Sequence, residues 1–557
     1  MNYLDKYNEW KNHPGLDAKD REELEAIADD DKEIKERFLY DLEFGTGGLR
    51  GILGVGTNRI NKYMIRKTTQ GFAEYIKKAG AEACARGVVI AHDNRRFSIE
   101  FCLETAGVLA ANGIKAYVFE SLRPTPELSF AVRELSAFGG VMITASHNPP
   151  EYNGYKLYDE RGCQLVPHVN DLVVAEIAKI TDPLSVKALS REEAGELIET
   201  LDADIDEKYY AKVMQICVTP NVEKNIKIVY SPQHGTGNIP VREVLRRLGY
   251  NVIPVEEQCY PNTEFENTKN PNPEMEDAYG LCYEYAEKTD ADIIITTDPD
   301  CDRLGVAVKQ NGKYVRMTGN QSAAVLLEYI LSRKTADGTL PKNGVMFNTV
   351  VTSDIGDKIC AEYGVVTEKT LTGFKFIGDK IYQHELAGDR EFVFGYEESY
   401  GCLISPFVRD KDAVQASLML CEAAAYYHQS GKTLIDVLWE LYAKHGFYLD
   451  ALDNFAFKGI DGPDRMKALL NSLRNDPPKS AAGIAVAKME DYESEQMISQ
   501  GFPSSNVLRF ILEDGSWVAV RPSGTEPKCK FYFSIRGEDK AAAEAKLPEI
   551  KKAFERV

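Results

Sequence analysis

No apolar run in this 557-residue chain is long enough to span a bilayer. Its first residues, Met1-Asn2-Tyr3-Leu4-Asp5-Lys6, hold no apolar core of the kind a signal peptide needs. No Cys-x-x-Cys pair occurs among the eleven scattered cysteines, which argues against a disulfide framework and for a reducing, cytoplasmic setting. Histidine is scarce, and His13, His92, His168, His384, His428 and His445 show no metal-ligand spacing. Positive charge is the minority sign: 66 Lys and Arg against 86 Asp and Glu leave a net charge of −20. Such a chain is ill suited to hold nucleic acid or an anionic membrane over a broad surface. A phosphorylated ligand would need local basic pockets. No repeat shows at the residue level. What is present, 44% hydrophobic and 27% charged residues, rules against disorder and permits large cores, and the length suits about four domains.

Residues 16–40 carry spaced apolar positions (Leu24, Ile27, Ile34, Phe38, Leu39) and predict one amphipathic helix. Beyond the glycine-rich Phe44–Gly51 segment, helical patterns at 63–79, 98–112 and 126–136 alternate with apolar strands at 88–91, 116–119 and 140–144. Alternation of this kind predicts an α/β layered domain with a largely parallel sheet. The pattern restarts with strands at 226–230, 252–255 and 293–296, and again at 345–348 and 392–394. The three α/β blocks are of similar size and read as structural cousins. The last block differs: strands at 507–513, 517–521 and 528–535 beside a helix at 538–555 predict an antiparallel α+β domain. The expected domains are 1–208, 209–318, 319–447 and 448–557.

Four loops carry candidate chemistry. The strand at 140–144 delivers Ser146 and His147 to a turn stiffened by Pro149 and Pro150, ten residues before Lys156. A serine hydroxyl needs a neighbouring base or a metal to act as a nucleophile, and no Gly-x-Ser-x-Gly elbow surrounds this one. Second, Asp298, Asp300 and Asp302 stand at alternate positions after a strongly apolar strand. In an extended segment they point the same way, and their mutual repulsion calls for a hard cation such as Mg²⁺. An EF-hand is rejected because Arg303 and Lys309 stand where Gly and Glu are required. Arg303 beside the cluster is suited to hold a phosphate. Third, Gly395-Tyr396-Glu397-Glu398-Ser399-Tyr400-Gly401 suits a hydroxyl-rich ligand, with Glu397 accepting and Ser399 donating or accepting, although a helix-start capping turn reads equally well. Fourth, Arg521, Ser523, Gly524 and Thr525 form a compact anion cradle. Weaker pieces are Arg50 in the glycine-rich loop, Arg95 at a strand end, Lys375 and Lys411 in polar loops, and His234, which reads equally as a hydrogen-bonded turn histidine.

In this order, Thr-Ala-Ser-His-Asn-Pro, Asp-x-Asp-x-Asp-Arg, Gly-Tyr-Glu-Glu-Ser-Tyr-Gly and Arg-Pro-Ser-Gly-Thr-Glu-Pro resemble the α-D-phosphohexomutase superfamily along nearly the whole chain. The likeness is greatest to the bacterial α-phosphoglucomutase branch, akin to the animal phosphoglucomutase-2 and phosphopentomutase group. The resemblance implies four domains around a central cleft, three of them related α/β units. It implies that Ser146 is carried as phosphoserine, with Mg²⁺ between its phosphate and Asp298, Asp300 and Asp302. Glu397 and Ser399 would bind sugar hydroxyls, and Arg521, Ser523, Gly524 and Thr525 the non-reacting phosphate. Lys411 would help bind phosphate; Arg50, His147, Lys156 and Arg303 would contact the reacting phosphate or move protons, with Lys156 the first choice for proton transfer and His147 the second. Glucose 1,6-bisphosphate would be intermediate and activator, and the partners small sugar phosphates, with the chain a monomer or a dimer. One departure stands out: where the dual phosphomannomutase/phosphoglucomutase subgroup closes the sugar loop with a histidine, this chain has Gly401.

Rival readings keep the fold and change the substrate (phosphopentomutase, phosphomannomutase, glucose-1,6-bisphosphate synthase) or change the chemistry. Asp298-x-Asp300 could be an aspartyl-phosphate phosphatase site, but that leaves Ser146 idle. A non-catalytic sugar-phosphate sensor would lack one of the chemical residues, and none is missing.

Overall fold

A computed structural model describes residues 2–45, 47–459, 461–523 and 528–554. The most apolar strands, Val88–His92, Gly139–Ile143 and Ile293–Thr297, are buried along their whole length. The first two lie side by side inside one sheet and the third lies inside a second, because only in a sheet's interior are both faces of a strand covered.

The first sheet runs Leu49–Ile52, Tyr152–Asp159, Gly139–Ile143, Val88–His92, Ala116–Phe119, Ile198–Leu201. The second runs Lys313–Met317, Leu304–Gln310, Ile293–Thr297, Lys227–Ser231, Asn251–Pro254. The third runs Val366–Thr370, Gly344–Thr349, Glu391–Glu397, Gly401–Leu403. All three share one plan. A first strand is flanked by two parallel partners, and the outer side of the third strand carries a fourth that runs antiparallel. The three blocks are therefore related α/β units, as their size suggested. The antiparallel fourth strands, Tyr152–Asp159, Leu304–Gln310 and Gly401–Leu403, were not visible in the apolar pattern. Tyr152–Asp159 mixes Asn153, Gly154 and Lys156 with its apolar residues, Gly401–Leu403 is only three residues long, and Leu304–Gln310, though apolar at its start, follows directly on the acidic loop.

The last sheet is antiparallel throughout: Phe447–Ala456, Lys528–Gly537, Trp517–Pro522, Leu508–Leu512, Ile484–Asp491 and Ser480–Ala481. Helix Lys540–Phe554 lies against it, as expected, and helix Gly462–Asn475 was not foreseen. The single helix predicted over 16–40 is two, Ala18–Ala26 and Asp31–Phe38. The break falls where Asp30 turns its carboxylate onto Glu33 N at 3.1 Å, because an aspartate offers more at a helix start than inside one. Among the described residues no helix is long and apolar enough to cross a membrane, and all eleven cysteines are free thiols.

Candidate active site

In each α/β unit the connection from the third strand to the antiparallel fourth holds a predicted loop: Ser146 in the first, Asp298 to Arg303 in the second, Glu398 to Tyr400 in the third. These connections lie at the carboxyl ends of the parallel strands, where open α/β sheets place ligands. Each turns on one non-glycine residue in the left-handed region: Ser146 (φ 50°), Cys301 (φ 56°) and Tyr400 (φ 66°). Such a conformation costs about 1 kcal/mol or more and persists where surrounding contacts enforce it.

The enforcing contacts are dense around the serine. Ser146 N donates to Thr144 Oγ1 at 2.8 Å, and Thr144 Oγ1 donates to Asp93 Oδ2 at 2.7 Å. Arg95, buried and paired with Asp93 at 3.1 Å, spends its guanidinium on the carbonyls of Ser146, Asn148, Pro149 and Tyr152. Arg95 thus reaches the serine loop through its backbone and shapes the turn. Arg50 donates to Asn148 Oδ1 of the same turn at 2.9 Å.

So held, Ser146 Oγ donates to Asp298 Oδ2 at 2.7 Å and lies 3.1 Å from His147 Nδ1. Asp298 Oδ1 accepts the N–H groups of Asp302 and Arg303 at 3.2 and 3.0 Å, which curls the aspartate loop around the carboxylate. Asp298, Asp300 and Asp302 are all buried, with one oxygen of each within 4.8 Å of the others. Lys156, on the fourth strand of the first sheet, pairs with Asp300 at 2.8 Å and lies 3.9 Å from Asp302. Thr125, at a helix start, adds its hydroxyl and N–H to Asp300 at 3.0 and 2.9 Å.

Asp300 Oδ1 and Asp302 Oδ1 are buried without any hydrogen-bond partner. Buried carboxylate oxygens left bare cost several kcal/mol unless a cation meets them. Hard oxygen donors so arranged fit a divalent ion such as Mg²⁺. Burial and the two neighbouring carboxylates push the Asp298 pKa well up. Lys156, working against burial, holds Asp300 well below the usual carboxylate range. Burial, followed by the charges of Arg303 and Arg50, keeps His147 well below the ordinary imidazole value. Arg303 pairs with Glu274 through Nη1, and its buried Nε makes no hydrogen bond and lies 3.8 Å from Asp302 Oδ1.

The remaining loops join this centre by contact. Lys411 Nζ lies 3.2 Å from Asp302 Oδ2 and 3.8 Å from Glu397 Oε2. Glu397 Oε1 accepts the Gly373 N–H at 2.7 Å, and the neighbouring Thr372 hydroxyl accepts from Arg521 of the last domain. Burial lowers the Lys375 pKa to about 8, and burial with the Glu397 charge raises that of Glu398 to about 7. Ser399 is half-buried and makes no hydrogen bond among the described residues. Ser523 N donates to Lys528 O at 2.7 Å, closing the hairpin that carries Arg521; Gly524 and Thr525 lie outside the described residues. His234 bonds the Tyr260 carbonyl at 2.9 Å, the turn-histidine alternative. Its loop still bears on the site, because Thr236 N and Oγ1 both donate to Pro299 O in the aspartate loop, at 2.8 and 2.9 Å.

Sequence reasoning missed Thr125, Asp410 and Lys530. Thr125 looks like an ordinary residue before a helix-starting proline. Asp410 accepts Tyr158 OH at 2.9 Å across 252 residues of sequence. Lys530 pairs in register with Arg521 across the hairpin. Lys530 stood three positions beyond the phosphate-loop motif, and Asp410 stood beside Lys411 in Arg409-Asp410-Lys411-Asp412; Thr125 gave no signal.

Comparison with known proteins agrees with this geometry. Successive segments match the four phosphoglucomutase/phosphomannomutase domain models: α/β/α domain I over residues 41–183, domain II over 207–312, domain III over 318–445 and the C-terminal domain over 469–551. Phosphoglucomutases of Staphylococcus epidermidis and Staphylococcus aureus are each 36% identical, over 516 and 519 residues. They cover 90% and 91% of this chain and 92% of their own length. Among solved structures, pp63/parafusin from Paramecium in its open form superposes with a TM-score of 0.72 at 19% identity, covering 92% of this chain and 95% of that one. A phosphoglucomutase/phosphomannomutase family protein of Burkholderia thailandensis does so at 0.68 and 18% identity, covering 91% and 95%. Four domain models matched in order, with 36% identity to a phosphoglucomutase over 90% of the chain, place this chain in the phosphoglucomutase/phosphomannomutase family.

Proposed function

We propose that the chain interconverts α-D-glucose 1-phosphate and glucose 6-phosphate through a phosphoserine at Ser146 and a glucose 1,6-bisphosphate intermediate. The observation that carries this is Ser146 Oγ at 2.7 Å from Asp298 in a buried three-aspartate cluster with two bare oxygens. When bound there, Mg²⁺ would neutralise charge on the transferring phosphoryl group. Every other part of the chemistry falls to side chains. Arg303 Nε, buried without a hydrogen bond, suits a phosphate oxygen. The phosphoryl group leaves Ser146 Oγ as its P–O bond breaks, a new P–O bond forms to the 6-oxygen of glucose 1-phosphate, and the proton that oxygen gives up ends on Ser146 Oγ. The proton passes by way of a base. His147, 3.1 Å from Ser146 Oγ, is placed to be that base, while Lys156 is engaged in its ion pair with Asp300. Glu397 and Ser399 would read two sugar hydroxyls while Arg521 and Ser523 hold the far phosphate. These two groups serve either orientation of the bisphosphate, so turning it over brings its other phosphate to Ser146.

The test is phosphorus NMR of the purified protein with Mg²⁺, a trace of glucose 1,6-bisphosphate and, separately, the 1-phosphates of glucose, mannose and ribose. Fastest conversion of the glucose ester is expected. Faster conversion of the ribose or mannose ester would overturn the glucose assignment, and conversion of none would overturn the mutase assignment.

A further inference from the structure

Lys411 lies across Gly401. A Cβ added to Gly401 would stand 2.0 Å from Lys411 Cδ and 2.8 Å from its Cγ. Gly401 pairs in register with Glu397 as the first residue of a strand, and its φ lies outside the left-handed region. The position therefore requires the absence of a side chain, and the backbone freedom of glycine is not used there. What that absence admits is the lysine.

The lysine is held from every side. Tyr158, fully buried and two residues beyond Lys156 on the same strand face, donates to Asp410 Oδ2 at 2.9 Å. Asp410 Oδ1 accepts Lys411 N at 2.8 Å and lies 3.3 Å from its Nζ. Asp412 caps the following helix, Ala413–His428, by accepting from Val414 N and Gln415 N at 2.9 and 3.0 Å. The Lys411 ammonium lies 5.6 Å from the Phe374 ring centroid and ends between two functional carboxylates, Asp302 at 3.2 Å and Glu397 at 3.8 Å.

A lysine on Asp302 opposes a divalent ion on the same carboxylate. Once Asp302 is neutralised by such an ion, the ammonium is freer to turn to the sugar loop and to the anion the substrate brings. Building on the mutase reading above, we propose that Lys411 exchanges partners in this way. It thereby couples metal binding to sugar-phosphate binding, with Gly401 as the positioning residue that admits it. Coupling of this kind is reciprocal and is typically worth a factor of about 5 to 150 in affinity.

Magnesium binding to the full-length protein without sugar, measured by calorimetry, and KM for glucose 1-phosphate test this in Lys411→Met, Gly401→Ala and the double variant. Gly401→Ala collides with a flexible side chain, so the fold should survive; Lys411→Met leaves the backbone untouched. Each single variant is expected to bind Mg²⁺ about 5-fold more tightly, or better, while KM rises about 10-fold. The double variant should match Lys411→Met within about two-fold on both counts. Weaker or unchanged Mg²⁺ binding in Lys411→Met, with mutase turnover still present, would overturn the coupling and leave the mutase reading standing. Multiplying effects in the double variant would overturn the role of Gly401. Absence of Mg²⁺ binding to the unaltered protein would overturn both readings.

Discussion

Ser146 is held in the left-handed region by Thr144, Asp93 and Arg95, so its hydroxyl is aimed before any substrate arrives. None of these contacts depends on the serine side chain. Ser146→Ala is therefore expected to keep its thermal midpoint within a few degrees while losing at least about 1,000-fold in kcat; retained turnover would count against the phosphoserine. Lys375 offers a second test. Burial lowers its pKa to about 8, so the side chain is charged below that pH and neutral above it. If it holds a substrate phosphate, KM should rise as pH climbs through about 8, and Lys375→Arg should flatten the rise because arginine keeps its charge. A KM flat from pH 7 to 9 in the unaltered enzyme would remove Lys375 from the phosphate site.

At the scale of elements, one design recurs three times: a third strand, a loop with a left-handed residue, and an antiparallel fourth strand. The apolar third strands were legible because buried parallel strands are nearly continuous runs of Val, Ile and Leu, as in Ile293-Ile294-Ile295. The loops were legible because their chemistry is concentrated within a few residues. The fourth strand of the first sheet was not, because Tyr152–Asp159 carries Asn153, Gly154 and Lys156 where apolar residues would announce a strand. Its two site functions, Lys156 on Asp300 and Tyr158 on Asp410, join residues 144 and 252 positions apart, a separation no local pattern spans. Loops also buttress loops. A Cβ on Gly235 would stand 2.4 Å from the Cα of Pro299 in the aspartate loop, and this neighbour is backbone that cannot swing aside. Gly235→Ala is expected to weaken Mg²⁺ binding about 10-fold or more by moving the carboxylates. Calorimetry reads this directly, and unchanged affinity would show that the loop yields.

At the scale of the molecule, the last domain is tied to the third α/β unit by Arg521 on Thr372 and Arg509 on Asp354. Arg521→Ala is expected to raise KM about 10- to 100-fold, the worth of a charge-assisted contact to phosphate, with a smaller change in kcat. An equal loss in both would mean that the arginine acts in the transfer step. The order of the loops, legible in the sequence, stated what each domain would bring. The contacts between units (Ser146 on Asp298, Lys411 on Asp302, Arg521 on Thr372) are products of domain packing and could be seen only in the folded chain. The central claim is that phosphate passes through Ser146. The most direct measurement is brief labelling with glucose 1,6-bisphosphate carrying radioactive phosphate, followed by mass-spectrometric mapping and a chase with glucose 1-phosphate. Label on the Ser146 peptide that leaves during the chase is the expected result; label on Asp298 or Asp300, labile to hydroxylamine, or no label at all, would contradict it.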